Sequence, residues 1–446
     1  MAKQRGLGYA AALTGGAILA GPYVQPPWLM ALIIIICSLI LWRFFDMKYF
    51  AYVFCILSGL YAVNLLPFLV LATTFAMISL GELVFQSGAD DLNTYFYYVV
   101  STAWAGMLVM VYLHENAFLM IVFGIIAAVL LKVILLRFED SLVLEGIGIA
   151  MTMYLIQALN YTTNIEIVII AVFIAFVFGY FAFRFKTADL SGLFSTALVG
   201  IILLVFAGPT WFLVMLTFFI LGSVSTRYKF EYKKRIGVEQ GKSGARGYRN
   251  VFANGIVACA AAVLYGVFVQ PVFIVMYVGS VATAAADTMA SEIGVTGGIP
   301  YMITTLRKVP IGTNGGVTVT GELVALGGSF VVSMVALGFN IINPMMMILC
   351  TITGFVGTNL DSIVGALLEN KGFLGNAGTN FLATLGGGLF AIVLYWIFIT
   401  HGISWLRVRI FLEREKLLSH ISYTNCDERP IKKLKSYRLS RLTALK

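Results

Sequence analysis

Apolar runs of about 17–25 residues recur along this chain, each long enough to cross the hydrocarbon core of a bilayer as a helix. In hydrocarbon every backbone N–H and C=O must find its partner inside the structure, which favours uninterrupted helices. The runs begin near residues 7, 28, 49, 67, 95, 117, 141, 165, 190, 210, 250, 272, 316, 344 and 379. They predict an all-α, polytopic transmembrane bundle of about 14–15 hydrophobic segments. With 60% hydrophobic and 11% charged residues, the composition excludes an ordinary soluble domain. The five cysteines (37, 55, 259, 350, 426) lie scattered, mostly within apolar runs, and form neither a CxxC pair nor a disulfide framework. His114, His401 and His420 are too few and too dispersed for a metal cluster. The basic start (Lys3, Arg5) followed by an apolar segment reads as a first span rather than a cleavable signal.

The formal charge of +9 is concentrated in residues 226–249 and in the tail after 405. In a chain of this kind it reads as topology, not nucleic-acid binding. A cytoplasmic N-terminus puts Arg43 and Lys48, Lys132 and Arg137, Arg184 and Lys186, and the 226–249 loop on the cytoplasmic side; Asp90 and Asp91 fall there too. Counting every run as a full span then puts the basic tail outside, against the positive-inside rule. One late segment is therefore expected to be re-entrant or half-length. The expected organisation is an N-terminal bundle (1–185) with few ionisable groups, a site-bearing membrane domain (186–400) and a basic tail (401–446). In the first part Glu82, Glu115, Glu139, Asp140, Glu145 and Glu166 lie near segment ends and read as structural.

One stretch departs from this pattern. Residues 284–322 carry Asp287, Glu292, Arg307, Lys308 and Glu322 among seven glycines, starting inside an apolar run. A carboxylate in hydrocarbon costs several kcal/mol unless paired, hydrated or bound to a metal. Asp287 and Glu292 lie about 140° apart around a helix, and converge on one cation only if that helix breaks near Gly294. The turn Gly312-Thr313-Asn314-Gly315-Gly316 has the small residues that let backbone N–H groups cradle a phosphate. The same residues also suit a solvated loop between two helices.

Two further elements belong with this stretch. The loop TRYKFEYKKRIGVEQGKSGARGYR (226–249) contains Arg227, Lys242 and Arg246, the last two among glycines. It serves either as an anchor on anionic head groups or as a cationic lid for polyphosphate, and it is not a Walker A loop. Asp361, in GFVGTNLDSIVGA, lies deep in a Gly/Ser/Thr-rich span and needs a partner or a function. The hairpin 250–290 returns Asp287 to the side of the basic loop. Carboxylates for a divalent cation and Lys/Arg for phosphates then share one membrane face.

The segments GARGYRNVFANG (244–255), ADTMASEIG (286–294), GTNGGVTVTGE (312–322) and GFVGTNLDSIVGA (354–366), in that order, resemble the phytyl-phosphate kinase family over about 186–400. That family's last motif pairs asparagines before a V-N pair; here it reads GNAGTNF, with Asn376 and Asn380. The family is similar in organisation to dolichol and phytol kinases and to CDP-diacylglycerol synthases. KVPIGTNGGVTVTGE resembles their nucleotide turn, with Lys308 as its cation. The resemblance implies phosphoryl transfer from a nucleoside triphosphate, CTP above all, to an isoprenyl monophosphate. It implies Mg²⁺ on Asp287, Asp361 and Glu292. The nucleotide phosphates would lie on Lys308 and Gly312–Gly316, and the acceptor phosphate on Arg227, Lys242 and Arg246. The expected setting is the cell membrane, with the site open to the cytoplasm. A lipid-phosphate cytidylyltransferase, a transporter of an anionic substrate and a non-enzymatic lipid-binding scaffold are the rival readings. Against a transporter, the charged motifs occur only after residue 226, with no counterpart in the first half.

Overall fold

The computed structural model describes residues 2–86, 92–238 and 245–398. Asp90, Asp91, Lys242 and the basic tail lie outside them. The chain divides into one unit, 1–392, and a second, 393–446, whose described part is the end of the last helix. The helices of the first half are α1 (Ala2–Ala20), α2 (Pro27–Phe45), α3 (Lys48–Ala62), α4 (Phe68–Phe85), α5 (Leu92–Leu113), α6 (Phe118–Leu135), α7 (Ser141–Ala158) and α8 (Ile165–Arg184). They are followed by α9 (Leu190–Phe206), α10 (Pro209–Arg227), the short α11 (Phe230–Arg235), α12 (Tyr248–Phe268) and α13 (Pro271–Gly294). A two-stranded hairpin, β1 (Tyr301–Met302) and β2 (Gly316–Val317), precedes α14 (Val319–Gly338) and α15 (Pro344–Val364). α15 runs on through a π-helical turn, Gly365–Glu369, and α16 (Asn376–Phe398) follows. Twelve of these helices are long and apolar enough to span a membrane, and two shorter apolar helices, Lys48–Ala62 and Leu190–Phe206, add to them, among the described residues.

Many boundaries follow from local chemistry. Proline opens α2, α10, α13 and α15, where its missing N–H and fixed φ fit the first turn. Asp189, Thr318 and Asn343 cap α9, α14 and α15 by accepting N–H bonds from Gly192, Gly321 and Met346. Outward-facing Ile, Leu and Phe side chains of α2, α5 and α8 are exposed, as suits contact with lipid.

The two halves pack differently. From α1 to α9 one cluster of large side chains fills the interior, including Phe54, Phe75, Met77, Ile121, Phe123 and Phe206. It also contains a charged knot. Lys132 of α6 pairs with Glu82 of α4 and Glu145 of α7 (3.1 Å), and Tyr98 of α5 donates to Glu145. Lys132 is therefore an internal counter-ion, not the surface cation of the topological expectation. A buried lysine between two carboxylates meets the high cost of isolated charge.

The second half is built around α13, the most buried span of the chain, which packs on α10, α12, α14 and α15. From Gly279 to Ala286 most of its buried residues are small: Gly279, Ser280, Ala282, Thr283, Ala284, Ala285 and Ala286. In a bilayer such residues let backbones approach closely, which is what holds helices together there. Thr283 fills the notch left by Gly357 of α15 and Gly387 of α16; a Cβ on either glycine would collide with its side chain. Gly387→Ala should therefore lower stability by about 1–3 kcal/mol as an overpacked site. Adding Thr283→Ala should restore most of it, read as the melting temperature of the detergent-purified single and double variants. Independent, additive losses would contradict this packing.

Candidate functional site

α13 ends, α14 begins, α15 ends and α16 begins at one level of the bundle. Their termini surround a cavity of about 340 Å³, within the size range of small-molecule sites. Asp287 and Thr288 enter it from α13, Glu322 from α14, Asp361 and Ser362 from α15, Glu369 from the π-helical turn, and Asn376 and Asn380 from α16. Arg246 and Asn250, at and just inside the start of α12, close another side.

The centre of the cavity is a meeting of acids from separate spans. The carboxyls of Asp287 and Asp361 stand within direct electrostatic reach of each other and of Glu369. Thr358 donates to Asp287 Oδ1 at 3.3 Å, and Thr379 to Glu369 Oε2 at 3.2 Å. Asp361 Oδ1 is buried and finds no hydrogen-bond donor among the described residues. Around them, Asn359 donates to Glu322 Oε2 at 3.0 Å. Five carboxylates thus line the cavity (Asp287, Glu292, Glu322, Asp361, Glu369), against Arg246 as the one lining cation among the described residues.

Arg246 is held firmly. Its backbone bridges to 187–189, with its N–H donating to Thr187 O at 2.9 Å and its C=O accepting from Asp189 N at 3.1 Å. Its guanidinium lies over the ring of Phe218 and against Gly222 of α10, where a Cβ would come within 2.5 Å of Nη2. Burial pulls its pKa below the ordinary value, while the charge of Glu292 pulls it back up. An arginine so placed stays protonated at neutral pH.

Glu292 lines the cavity but is already engaged. Lys233 of α11, itself 1% exposed, sits 2.5 Å from Glu292 Oε2, and Thr226 donates to Oε1 at 3.1 Å. The lysine also donates to the carbonyls of Ser225 and Thr226. This pair seals the end of α10 to the end of α13. Of the other sequence candidates, Gly312, Thr313, Asn314, Gly315 and Gly316 all line the cavity. Gly312 and Gly315 have φ of +87° and +80°, which only glycine adopts without strain, and Gly315 presses on Ser362 and Ala366 of α15. The N–H groups of Thr313 and Gly316 are spent inside the loop, on Pro310 and Thr313 carbonyls, so the turn offers fewer donors than its composition promises. Lys308 is exposed and outside the cavity lining, because the β1–β2 hairpin turns it away. Arg227 is also outside it, its guanidinium donating to Phe185 O at 3.0 Å. Lys242 lies beyond the described residues.

Sequence reasoning missed Lys233, Glu369 and Asn250 as site residues. Asn250 had a legible signal, since Asn250 and Asn254 fall one helical step of four apart on α12, just after Arg246. Lys233 had none, being one of several cations in a charged loop.

No set of three His, Cys, Asp or Glu side chains among the described residues forms a protein-only metal cage. The donor set nonetheless fits a hard divalent cation such as Mg²⁺. That ion is typically held by one or two carboxylates, with waters and substrate phosphates completing its shell. Asp287 and Asp361, with an orphaned buried oxygen on the latter, are the residues that would hold it. Breaking the Lys233–Glu292 pair leaves a buried, uncompensated charge, so Lys233→Met is expected to cost about 3–5 kcal/mol of stability. Lys233→Met with Glu292→Leu should recover most of that in thermal melts; no recovery would show that the lysine acts apart from this carboxylate.

The similarity to known proteins falls on the half of the chain that carries the cavity. The model of the family described as integral membrane protein DUF92 matches residues 173–388, which contain the whole cavity. An uncharacterized membrane protein of Methanocaldococcus jannaschii is 34% identical over 212 residues, covering 47% of this chain and 87% of that protein. An uncharacterized membrane protein of Synechocystis is 35% identical over 199 residues, covering 44% and 77%. Protein VTE6, chloroplastic, of Arabidopsis thaliana is 30% identical over 213 residues, covering 46% and 64%. No solved structure matches the chain. With a helical membrane bundle, a family match centred on α8–α16 and relatives matched over most of their own length, the chain belongs to the DUF92 family of integral membrane proteins.

Proposed function

We propose that this chain is a membrane lipid kinase that transfers a phosphoryl group from a nucleoside triphosphate, CTP, to an isoprenyl or polyprenyl monophosphate, giving the diphosphate. The observation that carries the reading is the convergence of Asp287 and Asp361, from two spans, beside one guanidinium in a polar cavity at the helix ends. The motif resemblance to phytyl-phosphate kinases supplies the identities of donor and acceptor. The cations of residues 227–235 and Arg246, beside the cavity, support a cytoplasm-facing site in the cell membrane.

Electrostatics decide what the cavity admits. A triphosphate does not enter a pocket of five carboxylates and one arginine unless a cation accompanies it. Asp287 and Asp361 would hold Mg²⁺, which would supply charge neutralisation at the donor phosphates, most of what phosphoryl transfer asks of a catalyst. The chain's own residues do the rest. Asp287 and Asp361, fixed by Thr358 and by the α13–α15 contact, set where donor phosphates lie. The Gly312–Gly316 turn closes over them from the hairpin. Arg246 anchors the acceptor phosphate with a two-pronged donor and keeps it in line. A monophosphate ester is already largely ionised at neutral pH, so its oxygen attacks without a strong general base.

Asp287→Asn and Asp361→Asn should each abolish Mg²⁺-dependent turnover while the protein stays folded. Purified protein in nanodiscs, given CTP and an isoprenyl monophosphate, should yield CDP and the lipid diphosphate. Release of pyrophosphate would instead make it a cytidylyltransferase, and full activity in both variants would remove the metal assignment. Arg246→Ala should cost about 100-fold or more in kcat/KM, as loss of a charge-assisted anchor does. Gly222→Ala, by displacing the guanidinium, should move activity the same way, and Lys308→Ala and Arg227→Ala less. Equal losses at all four positions would refute the special place given to Arg246.

A further inference from the structure

Arg246 and Asn250 border a second hollow, on the side of α12 away from the acids. It lies between α8, α9, α10 and α12, and its walls are apolar: Phe178, Val199, Phe212, Met215, Phe219 and Gly255. Phe178 makes edge contacts with Phe212 and Phe219, at 5.8 and 5.0 Å between ring centroids, so the walls are stiff aromatic faces. Its accessible volume is about 50 Å³. On the scale where one water needs roughly 10–15 Å³, that holds about four small groups. The guanidinium stands between the two spaces: it lies over Phe218 of the apolar hollow, while its charge is felt by Glu292 of the acidic cavity.

A charged group at the junction of a polar cavity and an apolar pocket matches a molecule that is anionic at one end and hydrocarbon at the other. We propose that the apolar pocket receives the first isoprene unit of the acceptor, with its phosphate on Arg246 and its phosphorus facing the acid cavity. This rests on the kinase reading for the identity of the amphiphile and adds where its chain goes and what selects it. A branched five-carbon unit suits the pocket in size, and Gly255 and Gly200 are the specificity-determining positions. A Cβ at Gly255 would touch only Val199, at 3.4 Å, so a methyl group there fits the fold yet takes space from the pocket. At Gly200 a Cβ would meet Ala175 and Phe212 at 3.1 and 3.2 Å, which is tighter. Gly255 is therefore the position at which occupancy is tested without loss of the fold.

The experiment uses full-length protein in nanodiscs and an isoprenyl monophosphate with a diazirine on its first isoprene unit. Photolabelling, mapped by peptide mass spectrometry, should fall on Phe178, 196–219 and 250–255. Unlabelled isoprenyl monophosphate should suppress it and the parent alcohol should not. Gly255→Ala should weaken that labelling and raise KM for the isoprenyl acceptor about tenfold, the scale on which a pocket discriminates a small group. KM for the nucleotide and the melting temperature should stay as in the wild type. Labelling on helices other than α8, α9, α10 and α12, no competable labelling, or an unchanged acceptor KM in Gly255→Ala would each overturn the proposal. Wild-type protein that labels in the pocket yet transfers no phosphoryl group would refute the kinase reading and leave the amphiphile pocket standing. Turnover with labelling elsewhere would do the reverse.

Discussion

The close approach of α13 to its neighbours is the contact on which the site depends. Asp287 and Asp361 lie on different helices, and they share a cavity only because the spans beneath them are nearly in backbone contact. Gly354 packs against Ser329 and Ala282, Gly357 and Gly387 receive Thr283, and Gly279 meets Ala391. Larger residues at these positions would push α15 and α16 outward and separate the carboxylates. Helix association in lipid draws little on the hydrophobic effect, so small-residue packing both holds this half together and sets the distance between its charges. In the first half the cluster of large side chains imposes no such restriction, and its buried charges pair with one another around Lys132.

A second constraint follows from charge. The ends of four helices bring five carboxylates to one cavity, and of the nearby cations Lys233 is spent on Glu292. Arg246 is the lining cation that remains among the described residues, and much of its neighbourhood exists to place it. Gly222 makes room for it, Phe218 lies beneath it, and a short bridge to Ala188 fixes its backbone. Excess negative charge at membrane depth is expensive unless a ligand answers it. Such a site is poised for a cation that arrives with its anionic substrate.

Much of this was legible in the residues, for stated reasons. Span-length apolar runs announce helices because hydrocarbon forbids alternatives, and the helices found follow them closely. Asp287 and Asp361 stood out because a carboxylate within a span demands an explanation, and the structure brings them together. The glycine turn was readable because Gly312 and Gly315 hold backbone conformations that other residues avoid. The cations were harder. A lysine's long side chain reaches several ångströms in any direction, so sequence position says little about what its ammonium meets. Lys308 faces away from the cavity, Lys132 is internal, and Lys233 is sealed against Glu292. Arg246 differs because the bridge to 187–189 fixes its backbone, while its position just before a helix start is visible in the sequence. Glu369 escaped notice because it lies just past the apparent end of a span; it sits in the π-helical turn and lines the same cavity as Asp361.

That turn bears on how the acids are arranged. An α-helix advances 100° per residue, so Asp361 and Glu369, eight apart, would lie about 80° away from each other on an unbroken helix. A π-helical turn widens the helix and changes the phase of everything after it, and such turns recur at functional sites. Here it also carries Gly365 and Ala366 against Asn314 and Gly315, and Asn370 donates to Asn314 O at 3.0 Å. The hairpin turn and the end of α15 are therefore clamped to each other at the rim of the cavity. A change in either one shifts the other, and with it the carboxylate that leans over the aspartate pair. The glycine turn thus has two physical duties: it lines the cavity, and it fixes the geometry of the acids opposite.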